Sequence, residues 1–221
     1  MISIAIDGPA GAGKSTIAKE VAKELGFIYV DTGALYRTVG YYILKQGENP
    51  ANREEVLKRL PEIEISLCFQ DGWQRVLLCG KDVSEEIRSP EVSMAASDVS
   101  AIKEVRDFLF GLQRNLARNN NILMDGRDIG TVVLPNAQIK IFLTASSRER
   151  ATRRYHQLKR KGIDVTFEEV LEDIEKRDYQ DSYRAVAPLV PAQDAVIVDT
   201  TGNTLKESIQ YLTHLIKERL S

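Results

Sequence analysis

Cysteine, histidine and long apolar runs are scarce in this 221-residue chain. Its two cysteines, Cys68 and Cys79, each lie inside an apolar stretch without a C-x-x-C partner or a histidine at ligand spacing. That spacing argues against a metal site and predicts buried, reduced thiols. No segment reaches the roughly 18 apolar residues of a membrane span. The chain enters an apolar strand at once, without a basic leader, so a cytoplasmic protein that engages no membrane is expected. The formal net charge is only −2 at pH 7, which argues against a general binder of nucleic acid polymers and leaves basic clusters to be interpreted locally. Repeats and low-complexity tails are also missing. The hydrophobic fraction of 43% fits an ordinary globule with a full core.

What is present is a glycine-rich stretch, GPAGAGKST from Gly8 to Thr16, directly after the apolar run Ile2 to Ile6. It fits the pattern G-x-x-x-x-G-K-[ST]. Glycines let the backbone curl with its N–H groups inward, and a helix beginning near Lys14 adds the positive end of its dipole. Gly8, Pro9, Ala10, Gly11, Ala12, Gly13, Lys14, Ser15 and Thr16 are therefore candidates to hold the phosphates of ATP. Lysine carries a mobile point charge that can follow a moving phosphoryl group, and the Ser15 hydroxyl can ligate Mg2+. A chance glycine turn is disfavoured by context: a strand pattern precedes the loop, and Ile17, Val21, Ala22 and Leu25 follow at helical spacing until Gly26.

Apolar runs at Phe27 to Val30, Ile122 to Asp125, Ile139 to Leu143 and Val196 to Asp199 suit further buried strands. Helical patterns run from Ala34 to about Gln46, Arg53 to Leu60, Pro90 onward, and Ile102 to Arg118 with an apolar stripe through Val105, Leu109, Leu112 and Leu116. Ser146 with Glu149, Thr166 with Glu169 and Thr204 with Glu207 read as capping boxes. The last of these opens an amphipathic helix through Leu205, Ile209, Leu212, Ile216 and Leu220. Residues 62–84 depart from the alternation: period-two runs at Ile63 to Phe69 and Gln74 to Cys79 flank a turn at Gln70 to Trp73, with Lys81 to Val83 as a third strand. Trp73 is expected to be partly exposed. The expected architecture is α/β, a doubly wound five-stranded parallel sheet with a small antiparallel β insert.

Ligands of such sheets sit at the carboxyl ends of the strands, which selects Asp7, Asp31 to Gly33, Asp125 to Asp128, Ala145 to Ser146 and Asp199 to Thr200. Arg37 and Arg127 accompany two of these ends; guanidinium forks match phosphate, so a second, phosphate-bearing substrate opposite the loop is expected. Asp125 closes an apolar strand, the usual setting for the acid that helps hold magnesium. The basic helix carrying Arg148, Arg150, Arg153, Arg154, Lys159, Arg160 and Lys161 and the next helix, joined through Gly162, can form a cationic lid; a solvated charged face is the plain alternative. His156 and His214 are expected at the surface, and no general base is needed, because an acceptor phosphate with a second pKa of about 6 is already largely dianionic.

TGALYR at Thr32 to Arg37, DGRDIGTVV at Asp125 to Val133, KIFLTAS at Lys140 to Ser146 and RDYQDSYRAVAPL at Arg177 to Leu189, all following GPAGAGKST, resemble the bacterial cytidylate kinases. The resemblance spans essentially the whole chain. It implies a P-loop nucleoside monophosphate kinase fold with a core at 1–61, 101–147 and 185–221, an acceptor-side insert at 62–100 and a helical lid at 148–184. It implies ATP-Mg as donor, CMP or dCMP as acceptor, and a monomer. By motif, Thr32 lies near the acceptor, Arg37 and Arg127 hold its phosphate, and Ser97, Arg106 and Asp128 surround cytosine. Arg177, Asp181 and Arg184 reach sugar and phosphates, Lys14, Arg127 and Arg184 are the catalytic groups, and Ser15 and Asp125 serve the metal. A carboxylate for the cytosine amine would face a carbonyl in uracil, a mismatch of about 1–3 kcal/mol. Two alternatives stay open: a P-loop kinase for another small acceptor such as UMP, and a non-enzymatic ATP-gated binding protein.

Overall fold

The alternation of apolar strand and amphipathic helix resolves, in a computed structural model that describes residues 1–70 and 73–220, into two sheets. Strands β1 (Ser3–Asp7), β2 (Ile28–Asp31), β6 (Ile122–Gly126), β7 (Ile139–Thr144) and β8 (Val196–Asp199) form one sheet, and β3 (Ile65–Gln70), β4 (Trp73–Leu78) and β5 (Lys81–Asp82) the other. The first sheet runs β2-β6-β1-β7-β8, all parallel. β1 lies at its centre; the chain leaves it towards β2 and later crosses back from β6 to β7. The loops at the carboxyl ends of β1 and β6 therefore share one crevice.

Helices α1 (Lys14–Leu25) and α8 (Leu205–Leu220) cover one face of the parallel sheet, where Ile17, Val21, Leu212 and Ile216 meet Ile4, Ile141 and Val198. The other face packs on Ala117 and Leu116 of α5 (Lys103–Asn119). α2 (Thr32–Lys45), α4 (Pro90–Ser100), α3 (Arg53–Arg59) and α5 share a second core with Val76 and Leu78 of the small sheet. α2 and α4 approach so closely at Gly40 that a methyl there would lie 2.9 Å from the Ala95 Cβ. α6 (Ser147–Arg160) and α7 (Phe167–Tyr183) turn on Gly162 at φ +73 and bury their own cluster of Ala151, Leu158, Val170 and Ile174.

Several local expectations change. Both cysteines are exposed rather than buried. The small sheet covers only one face: Ile65 and Leu67 pack on the helical core, so Ser66 and Cys68 point the other way, while Cys79 lies beyond the end of β4. Thr166 with Glu169 forms a reciprocal capping box, and Thr204 with Glu207 exchanges the same bonds. Ser146 provides only its half of one; the Glu149 carboxylate is held instead by Arg153 at 3.2 Å. α2 begins two residues early, because Asp31 is its N-cap, and Ile102 caps α5 instead of joining it. α3 ends at Arg59, one residue short of the expected Leu60, which with Pro61 and Glu62 forms a 3-10 turn. Leu205 is exposed, outside the apolar stripe of α8. The predicted turn at Gln70 to Trp73 and the exposure of Trp73 fall at Asp71, Gly72 and side chains that lie outside the described residues.

Candidate active site

β1 delivers the chain to Gly8 at φ +149, where an added Cβ would lie 1.9 Å from the Leu143 carbonyl oxygen, so only glycine passes between β1 and β7. Gly11 and Gly13 also take positive φ, and α1 starts at Lys14. Above the loop opens a cavity of about 750 Å³ lined by Ala10, Gly11, Gly13, Lys14, Ser15 and Thr16. Gly8, Pro9 and Ala12 are buried beneath it and do not line it. Every acceptor-side residue expected from the sequence lines the same cavity: Thr32, Arg37, Ser97, Arg106, Arg127, Asp128, Arg177, Asp181 and Arg184, together with Asp125.

Burial and charge set the state of these groups. Lys14 is buried, and its Nζ donates to the Pro9 carbonyl oxygen at 2.8 Å. Burial first, and the positive Arg127 second, push its ammonium down to about 7. The Asp125 carboxylate accepts from Ser15 Oγ at 3.0 Å and from the Tyr29 hydroxyl at 2.7 Å, while Thr32 Oγ1 donates to the Asp125 carbonyl at 2.7 Å. Burial, then the neighbouring Asp31, raises Asp125 to about 6. Asp7 rises to about 6, chiefly through burial, although it accepts from the amides of Ile129 and Gly130 at 2.7 Å each. Those amides open a π-helical turn, Ile129–Val133, between β6 and β7. Asp7 thus joins the start of the phosphate loop to the segment carrying Arg127 and Asp128.

The same cavity holds a lattice of arginines and carboxylates. Arg37 pairs with Asp31 at 2.7 Å, and this outweighs burial in holding Asp31 below the usual carboxylate range. Arg127 Nε donates to Asp181 at 2.8 Å. Asp128 and Arg106 form a buried ion pair, with Arg184 3.6 Å from the other Asp128 oxygen. Burial raises Asp128 against the pull of Arg106 and Arg184. Ser97 Oγ donates to Gln180 at 3.3 Å. Arg177 is pushed down to about 10 by burial and then by Arg127. Among the described residues, the buried Nε groups of Arg37 and Arg177 and Nη2 of Arg184 find no hydrogen-bond acceptor.

The hard oxygen donors Ser15 and Asp125 sit together beside the phosphate loop. Such a pair suits Mg2+, which keeps several waters and binds through one or two protein ligands plus substrate phosphates. Among the described residues no cluster of three His, Cys, Asp or Glu could form an all-protein cage.

Residues 4–218 match the family model described as cytidylate kinase. The chain belongs to the cytidylate kinase family. A cytidylate kinase of Caldicellulosiruptor bescii is 52% identical over 214 residues, covering 97% of this chain and 95% of that one. Another, of Caldanaerobacter subterraneus, is 51% identical over 217 residues, covering 98% and 95%. A solved structure of an uncharacterized protein from Eubacterium ventriosum shares the fold, with TM-score 0.54 at 14% identity over 98% of this chain and 99% of that one.

In this member of the cytidylate kinase family the basic helix divides into separate roles. Arg150 is buried and donates to the carbonyls of Ala145 at 2.8 Å and Ala10 at 2.9 Å and to Asp178, which fastens α6 and α7 to the phosphate loop. Arg153 donates to the Thr200 carbonyl at 2.8 Å. Arg154 faces the cavity and, among the described residues, donates to Gln157 alone. Sequence reasoning missed Tyr29, Tyr36, Arg88 and Ser100. Tyr29 lies in an apolar strand where nothing distinguishes it from a core aromatic. Arg88 reaches the cavity from a short 3-10 turn, Glu86–Arg88, with no motif around it.

Proposed function

We propose that this chain transfers the γ-phosphoryl group of ATP to CMP or dCMP, giving ADP and CDP or dCDP. The observation that carries this reading is one cavity lined both by the phosphate loop and by Arg37, Arg127, Arg177 and Arg184. Two polyanions bound there would face each other end to end. The loop amides and Lys14 hold the donor phosphates, and Arg37 and Arg127 hold the acceptor phosphate. An acceptor oxygen attacks the γ-phosphorus as its bond to the β-phosphate oxygen breaks, and no proton has to move. Positioning and charge neutralisation are sufficient for such a loose transition state. Lys14, Arg127 and Arg184 follow the charge as it spreads over the equatorial oxygens. Mg2+, held by Ser15 and Asp125, would supply charge neutralisation between the β- and γ-phosphates.

Asp128, Arg106 and Ser97 read the base. A carboxylate accepts from the cytosine amine, and guanidinium and hydroxyl groups donate to the ring nitrogen and carbonyl. Thr32 lies beside the acceptor, and Arg177, Asp181 and Arg184 reach its sugar and phosphate. Residues 148–184 act as the lid over a core at 1–61, 101–147 and 185–221, with 62–100 as the acceptor-side insert; closure excludes water, the competing acceptor. The protein acts as a monomer in the cytoplasm. No helix among the described residues is long and apolar enough to cross a membrane.

Coupled measurement of ADP formation with ATP-Mg and CMP, dCMP, UMP, AMP or no acceptor tests the reading. CMP and dCMP should stimulate turnover well above the rest. Turnover with them no higher than without acceptor would sink it.

A further inference from the structure

We infer that Gln74, on the small β sheet, is a positioning residue for the acceptor-phosphate arginine Arg37, an inference that rests on the function proposed above. β2 is an edge strand of the parallel sheet, so its last residue, Asp31, turns backbone groups outward with no neighbouring strand to meet them. Gln74 meets both. Its Oε1 accepts from the Asp31 amide at 2.8 Å and its Nε2 donates to the Asp31 carbonyl at 3.2 Å, so one side-chain amide stands in for a ladder residue.

Asp31 is the residue on which the start of α2 depends. One oxygen of its carboxylate accepts from the Ala34 amide at 3.0 Å and caps the helix; the other holds Arg37 at 2.7 Å. Arg37 folds back over Gly33 so closely that an added Cβ would lie 3.0 Å from its Nη1. β4, which carries Gln74, is fixed in turn by Val76 and Leu78 in the core shared with α2 and α4. A continuous path of contacts therefore runs from the insert core through Gln74 and Asp31 to a guanidinium on the cavity wall. This gives the insert a task in substrate binding that none of its own strand residues performs by direct contact.

The test uses Gln74→Met, which keeps length and packing but neither hydrogen bond, beside Gln74→Ala, each in the wild-type and Arg37→Ala backgrounds. Two lost hydrogen bonds acting through one arginine should raise the KM for CMP about five-fold or more in both single variants, with kcat and the KM for ATP little changed. In the Arg37→Ala background neither substitution should raise it further. Wild-type KM values in Gln74→Met, equal shifts for ATP and CMP, or a full further increase without Arg37 would each overturn the inference while leaving the proposed reaction standing. Absence of CMP-dependent turnover in the wild type would overturn both.

Discussion

Converting Asp128 to asparagine exchanges one oxygen for an amide nitrogen at the centre of the buried charge lattice, and the surroundings set the size of the response. Arg106 is ion-paired to one carboxylate oxygen and Arg184 lies 3.6 Å from the other, with all three side chains almost inaccessible to solvent. Removing the negative charge leaves two buried guanidinium ions near each other, with Asp181, 4.0 Å from Arg184, as the remaining counter-charge. Breaking one partner out of a buried pair costs about 3–5 kcal/mol, and the asparagine carbonyl, which can still accept from Arg106, favours the lower end of that range. The effect on recognition is separate. The carboxylate only accepts, whereas asparagine can also donate to the uracil carbonyl, so a penalty of about 1–3 kcal/mol against UMP should shrink, lowering the CMP over UMP ratio of kcat/KM by about 5-fold to 150-fold. Thermal unfolding reports the first number and initial rates with the two acceptors the second. The double variant Arg106→Leu with Asp128→Leu should unfold later than either single change, since it removes both members of the pair together and leaves Arg184 with Asp181 as its counter-charge. A destabilised Asp128→Asn protein with the wild-type CMP over UMP ratio would refute the base-reading role and leave Asp128 as a structural ion-pair member.

Two further outcomes follow from particular contacts. The folded Asp7 pKa, raised from 3.8 to about 6, means that its contribution is fully present below the unfolded value and is lost as pH rises through about 6. The stability of wild type relative to Asp7→Asn should therefore fall by about 2 kcal/mol between pH 4 and pH 7, measured by denaturant titration at each pH, and a flat difference would contradict the buried-carboxylate account. Gly40→Ala places a methyl 2.9 Å from the Ala95 Cβ, so α2 and α4 must separate, at a cost of about 1–3 kcal/mol despite the better helix propensity of alanine; an unchanged melting temperature would show that the pair has slack.

The strands, the phosphate loop and the two acceptor-side arginines were legible in the sequence because each depends on a local pattern: an apolar run, a glycine spacing, a charged residue just past a strand. Arg106 was not, since it lies on the same helix as the apolar Val105 and Leu109 and only tertiary packing shows that its partner is Asp128, 22 positions away. It came from the family resemblance, as did Ser97. The basic helix shows the same limit. Composition groups Arg150, Arg153 and Arg154 together, whereas packing buries Arg150 against backbone carbonyls, ties Arg153 to the Thr200 carbonyl at the cavity edge and turns Arg154 into the cavity. The cysteines failed for a complementary reason: an apolar neighbourhood in sequence says nothing about which face of a three-stranded sheet is covered. Gln74 and Tyr29 act over separations of 43 and 96 positions, beyond any spacing rule.

The buried guanidinium nitrogens of Arg37, Arg177 and Arg184 that find no acceptor mark a conflict between folding and purpose. A sequence selected for foldedness alone would place apolar or matched groups there, because each unsatisfied donor is destabilising. The lattice is instead locally frustrated, and the acceptor oxygens of a bound anion would supply what these donors lack. Consensus or computational stabilisation of this protein would therefore be drawn first to the residues that can least be changed, and a gain in melting temperature at these three positions should be taken as a warning of lost substrate affinity.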